Sequence, residues 1–257
     1  WQRPALRGAD WLAAFGLVWF LGLTLVAACG PVTDWDGLSY HMAAPALYLR
    51  HGGIYWIPFI HHSNFPFATE MLFTPAIAFG QYPAAKVVHW VFYVLSVLSV
   101  GLLAERVSGK RTGLWASLAF ALMPVAFWEA SAAYIDLSTV AYTLLSCLAL
   151  TEYFEHQDSS RAALFAAGLL AGFAAGTKLF SLGWVFLCCV WIVWENRGKS
   201  NSVKAAALFL CCAMVACGAW YVKSWVMTGN PIYPFLFHIL GGRGWDEAGV
   251  AMYRNTW

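Results

Sequence analysis

Among the stretches of this sequence that run without a single Asp, Glu, Lys or Arg, seven are candidate membrane spans: 11–33, 87–104, 112–128, 137–151, 162–177, 179–194 and 205–222. A helix needs about 20 residues to cross the hydrocarbon core of a bilayer. Lys, Arg and Glu at the flanks can keep their stems in the apolar layer and their charges outside it, so the shorter runs extend past their bounding charges. The stretch 162–194 is too long for one crossing and is interrupted at Thr177-Lys178, which predicts a tight hairpin of two helices. The expected fold is therefore all-α: a polytopic transmembrane helical bundle of about seven spans.

Composition agrees. Charged residues make up 11% of the 257, against roughly 25% in a soluble domain. That excludes a soluble enzyme, and the apolar content excludes disorder. With a net charge of +2 and no basic run, nothing points to nucleic acid. The seven cysteines (29, 147, 188, 189, 211, 212 and 217) all fall in apolar runs. They read as small buried residues, not as a disulfide or metal framework.

Seven spans put the termini on opposite sides. With the N-terminus in the cytoplasm, nine of the 15 basic residues fall on the inner side, in tight clusters such as Lys110-Arg111 and Arg197, Lys199 and Lys204. The outer six, Arg50, Lys86, Lys178, Lys223, Arg243 and Arg254, are scattered. The positive-inside rule then selects N-in, C-out. Residues 31–83 form a long, half-polar first outer loop, in which 42–50 and 68–80 read as amphipathic helices lying at the interface. A further span over 68–84 is the competing reading, weakened by Pro75, Gly80 and Pro83. Gly168, Gly172 and Gly176 form a GxxxGxxxG face, read as a close helix–helix contact. Trp1 in first place and the polar end at Trp257 read as the bounds of a fragment: a core over 1–235 and, from 236 to 257, the start of a truncated outer C-terminal region.

Ionisable groups beside a membrane are costly and point to function. Asp34-Trp35-Asp36 follows the first span, and Asp136 opens the fourth, so carboxylates from two helix mouths reach one face. Two like charges two residues apart suit a cation, or a carboxylate tuned for general-base work. Asp136 reads equally as a helix cap and as a functional group. His61-His62 with Glu70 or His41 could assemble a zinc site; the preferred reading is a packed interfacial pair. Tyr55-Trp56-Ile57-Pro58-Phe59 reads as a headgroup anchor.

The order of several short motifs resembles the GT-C glycosyltransferases, within them the bacterial protein mannosyltransferase and lipid A aminoarabinose transferase types. The residues are Asp36-Gly37-Leu38-Ser39-Tyr40-His41, Pro45-Ala46-Leu47-Tyr48-Leu49 and Gly52-Gly53-Ile54, then Asn64-Phe65-Pro66 followed by Glu70. Tyr134-Ile135-Asp136, Gly176-Thr177-Lys178 and Gly229-Asn230-Pro231-Ile232-Tyr233-Pro234 complete the set. The resemblance covers about residues 10–235. It implies an inverting transfer from a polyprenyl-phosphate sugar to a lipid, glycan or protein acceptor, on the extracytoplasmic face of a bacterial plasma membrane. The family's catalytic Asp maps onto Asp36, with Tyr40 at the matching offset; Asp34 is the alternative, and Asp34 and Asp136 would orient the acceptor. Two positions depart from the pattern. Gly37 stands where a second acid is common, and Phe65 stands where aminoarabinose transferases carry a phosphate-binding Lys before the loop proline. Lys178 is then the first choice of phosphate ligand, followed by Arg50, Lys223 and His62. Tyr40, His41 and Glu70 complete the expected substrate-binding set. No cofactor is required, and a divalent metal is compatible with the Asp pair without being implied. The alternatives are a transporter or lipid flippase, which would place charge at the midplane on broken helices, and a non-catalytic membrane scaffold.

Overall fold

A computed structural model describes residues 8–156, 161–249 and 251. Those residues form helices and turns with no strand. The first helix, α1 (Gly8–Ala28), buries only Asp10, Ala13, Thr24 and Ala28 and exposes Trp11, Leu12, Phe15, Val18, Trp19, Leu23 and Val26. Seven large apolar side chains exposed along one helix are untenable in water and ordinary in lipid. A π-helical turn over Gly37–His41 and α2 (Ala43–His51) follow. Then come 3₁₀ turns at His61–Asn64 and Glu70–Phe73, and the short α3 (Thr74–Ala78). The remaining helices are α4 (Tyr82–Ser108), α5 (Lys110–Ala121), α6 (Pro124–Glu129), α7 (Asp136–Glu155), α8 (Arg161–Thr177), α9 (Ser181–Glu195), α10 (Ser202–Thr228) and α11 (Phe237–Leu240).

Each charge-free run coincides with helix, but not every helix is long. Four among the described residues, α1, α4, α7 and α10, are long and apolar enough to cross a membrane. Helices α8 and α9 have 17 and 15 residues, and the third run is broken at Leu122–Met123, before Pro124, into α5 and α6. The first outer loop differs from expectation in one part. The stretch 42–50 is helical as expected, but 68–80 is a four-residue 3₁₀ turn followed by a five-residue helix. Pro75 lacks an N–H to donate, and Gly80 takes φ +70, so no long helix can run through. The same break removes the competing span over 68–84.

Successive passes along the bundle alternate in direction, so passes two apart run parallel. Glycine makes the tightest contact possible: a Cβ on Gly168 would lie 2.6 Å from the Phe209 carbonyl oxygen, and one on Gly172 2.7 Å from the Ala213 Cα. The glycine face is thus the seam between α8 and α10, which run parallel. Around it, Leu164, Ala167, Ala171, Ala175, Phe209, Ala213 and Cys217 form one core cluster. A second joins Phe92, Tyr93, Val97, Ala121 and Ala141. This pairing brings the ends of α1, α6, α8 and α10 and the starts of α4, α7 and α9 to one end of the bundle, the end covered by the 31–83 loop.

Candidate functional site

At that end, polar side chains from distant parts of the chain meet. Trp35-Asp36 open a helical turn that widens at once into the π-helical turn, closed by the Met42 amide donating to the Gly37 carbonyl (3.0 Å). Such turns cost stability and recur at functional sites. Asp34 lies over Gly37, where any Cβ would collide with its carboxylate. Its Oδ1 accepts from the Ala133 amide at 3.4 Å, while Oδ2 is buried without a partner. Asp36 is half-buried and acts on the Tyr40 hydroxyl as a neighbouring charge. Burial first, then Asp36, Glu70 and Asp136, raise Tyr40 well above the ordinary phenol range. Tyr134 is raised for the same reasons: burial, then the charges of Asp36 and Asp34, with Asp136 beyond them. The three predicted carboxylates therefore share one neighbourhood around Tyr134.

Asp136 is the first residue of α7, with Ile135 in the cap position and no side-chain cap bond. Its carboxylate instead pairs with Lys178 in the α8–α9 turn. Proximity to the helix N-terminus still favours its charge. Of the two roles read from the sequence, the side-chain cap is not made. Glu129, at the end of α6, completes this corner: burial raises its carboxyl to about 7, Asp136 adds to the rise and Lys178 opposes it.

The loop is docked on this corner by hydroxyls. Thr69 Oγ1 lies 2.9 Å from both Ser138 Oγ and Thr177 Oγ1, and the Ala68 amide donates to the Gly176 carbonyl at 2.9 Å. Glu70, one residue on, is 1% exposed and bonds His41 Nδ1 at 3.0 Å. Its second oxygen has no partner. The ring of Tyr40 packs against His41 and stacks on His62, both with centroids at 4.1 Å. His61 continues the column at 3.8 Å from His62, and Trp245 at 5.2 Å from His61. Burial, helped by His61 and His41, pushes the His62 imidazole down to about 3, so it is neutral at physiological pH. Arg50 is exposed in the last turn of α2, outside this cluster.

The other cations near this end are occupied. Lys223 donates to the Ser63 and Phe65 carbonyls (2.6 and 2.8 Å) and lies over the Trp220 and Phe67 rings. Lys86, counted from the sequence as a scattered outer charge, is 4% exposed. It donates to the Ala27, Gly30 and Pro31 carbonyls at 2.9–3.1 Å, so it closes the end of α1. A cation on the free carbonyls of a helix C-terminus is the favourable sign. Among the described residues, three metal-capable ligand atoms converge only at Glu152, Glu155 and His156. That group sits at the opposite end, and the His61–His62 pair with Glu70 or His41 does not form one.

Sequence reasoning missed His89. It is fully buried in α4; its Nδ1 lies 3.1 and 3.0 Å from the Glu129 and Ala132 carbonyls, and its Nε2 accepts from the Leu137 amide at 3.2 Å. An amide donating to Nε2 fixes the tautomer with the proton on Nδ1. This one ring ties the residue before Ala130 to the residue after Asp136, and so sets both carboxylates. The available signal was a histidine inside a charge-free span. Tyr134, quoted only as part of a motif, and the Thr69–Ser138–Thr177 hydroxyls carried no signal of their own.

No curated protein and no solved structure matches the chain. A family model described as Domain of unknown function (DUF8201) matches residues 67–246, which is more than half of the chain and includes Glu70, Glu129, Tyr134, Asp136 and Lys178. On that match the chain belongs to this family of unknown function.

Proposed function

We propose that this protein is an integral-membrane glycosyltransferase, moving a sugar from a polyprenyl-phosphate donor to an acceptor hydroxyl with inversion. The observation that carries the reading is the excess of carboxylates, Asp34, Asp36, Glu129 and Asp136, gathered on one end of an apolar bundle around Tyr134 and a single paired Lys178. Seven crossings are proposed. The four long helices supply four, α8 and α9 span as a short pair, and α5 with α6 makes a broken seventh. The N-terminus lies in the cytoplasm and the carboxylate end on the outer face of a bacterial plasma membrane.

In this reading Asp36 accepts the proton of the acceptor hydroxyl as its oxygen attacks the anomeric carbon from the face opposite the leaving group. The sugar–phosphate C–O bond breaks, and the electron pair leaves with the lipid phosphate. That leaving group is already an anion and needs no acid, only a donor to hold it. Lys178 is that donor, turning from Asp136 to the phosphate. Asp34 and Tyr134 orient the acceptor, and Tyr40 holds Asp36. The exposed Trp35 and Leu38 beside the acids sit where a lipid-linked donor arrives from the bilayer.

The test is donor turnover in proteoliposomes, with a radiolabelled pentose or hexose on a short polyprenyl phosphate and lipid, glycan and peptide acceptors offered in turn. Release of free polyprenyl phosphate with label on an acceptor is the expected result. A flippase would move intact donor between leaflets without releasing the phosphate, and that outcome would replace the transferase reading.

A further inference from the structure

Glu70 is buried to 1% exposure, so it does not reach a substrate in this conformation. Burying a carboxylate is expensive unless it is paired and hydrogen-bonded. Its partner is known: a carboxylate only accepts, so His41 Nδ1 is the donor in the 3.0 Å bond between them. His41 is itself 3% exposed and is the last residue of the π-helical turn that begins after Asp36. The residue before it, Tyr40, is wedged between the His41 and His62 rings.

These contacts form a chain from a 3₁₀ turn on one side of the loop to the π-helical turn that follows Asp36 on the other. A π-helical turn is less stable than the α-helical one it replaces. If it relaxed to α geometry, the turn would lose its Met42–Gly37 bond and Asp36, just before it, would rotate about the helix axis relative to α2, just after it. Resting on the transferase reading of this site, we propose that Glu70 is a positioning residue: through His41 it holds the π-helical turn wound, and so sets the angle at which Asp36 stands relative to α2.

The experiment compares wild type, Glu70→Met and Glu70→Gln as full chains in lipid nanodiscs, by hydrogen exchange over 35–42 and by transfer kinetics. Gln can still accept from His41 Nδ1; Met cannot and leaves that donor buried and unpaired. In Glu70→Met, exchange over 38–42 is expected to rise about tenfold, and kcat to fall about tenfold or more with KM within about twofold. Glu70→Gln is expected to recover most of both, to within about threefold. Unchanged exchange in Glu70→Met overturns the proposal, whatever the transfer assay reads. Equal damage from Met and Gln overturns it too, because charge and not the hydrogen bond would then matter. A rise in KM with kcat kept also overturns it, as it makes Glu70 a substrate contact. If wild type transfers no sugar while exchange responds as expected, the transferase reading falls and the positioning of the turn stands.

Discussion

The two ends of the bundle treat charge differently. At the end holding the start of α1, acids are matched by donors on other helices. Asp10, 1% exposed, accepts from Arg111 Nε at 2.8 Å and Trp115 Nε1 at 3.0 Å, joining α1 to α5. Arg106 reaches Glu152 and Glu155, joining α4 to α7. At the other end Lys86 and Lys223 close backbone carbonyls, Lys178 pairs with Asp136, and the acids are left in excess. Asp34 and Glu70 each keep a buried oxygen without a partner, and Glu129 is raised toward neutrality by burial beside Asp136. One end spends its charges on holding helices together. The other retains carboxylates that stability alone would remove, the pattern expected of a working site.

The comparison can be broken in several ways. The largest effect is expected from Lys178→Met, which removes the one cation paired within the carboxylate cluster: transfer should fall about a hundredfold, read as initial rate in proteoliposomes. An undiminished rate would move the phosphate ligand elsewhere. Asp10→Ala leaves Arg111 and Trp115 without their acceptor and should cost about 2 kcal/mol of stability, read from the denaturation midpoint in detergent. Its specific activity should stay at the wild-type level. Glu129 gives a sharper, smaller signal. Its folded carboxyl titrates at about 7 instead of 4.5, so between those values the folded protein holds a proton that the unfolded chain has released. Stability therefore falls as pH rises through that window, and Glu129→Gln should flatten the profile of melting temperature against pH. The smallest effect belongs to Arg106→Met. Its ion pairs are partly exposed, so the loss should stay below about 1 kcal/mol.

The spans were legible because an apolar helix in lipid needs an unbroken run, and charges interrupt runs visibly. Their lengths were less so: Pro124 splits one run into α5 and α6, and helix does not continue past Thr177 in α8 or past Glu195 in α9. The glycine face was readable as packing, since three glycines at a spacing of four can only serve one side of a helix. The carboxylates were readable as residents of one face, because they sit at helix mouths. Their pairing was not. Asp136 meets Lys178 across 42 positions, and His41 meets Glu70 across 29; no periodicity connects such residues. Lys86 misled for a physical reason. A lysine at a predicted mouth looks solvent-facing, yet the open carbonyls of a neighbouring helix end compete with water for its three donors. The stretch 68–80 failed as an amphipathic helix because Pro75 and Gly80 break it, and because Thr69 turns inward to bond the bundle.

The most direct test sets one end against the other. Asp36→Asn and Asp10→Ala are purified side by side, and each is measured for sugar transfer in proteoliposomes and for its denaturation midpoint. A crossed result is predicted: Asp36→Asn lowers transfer by about a thousandfold with its midpoint kept, while Asp10→Ala lowers the midpoint with specific activity kept. If Asp36→Asn transfers sugar as wild type does, the carboxylate end is not the catalytic end, and the account of this protein as a glycosyltransferase working through Asp36 is wrong.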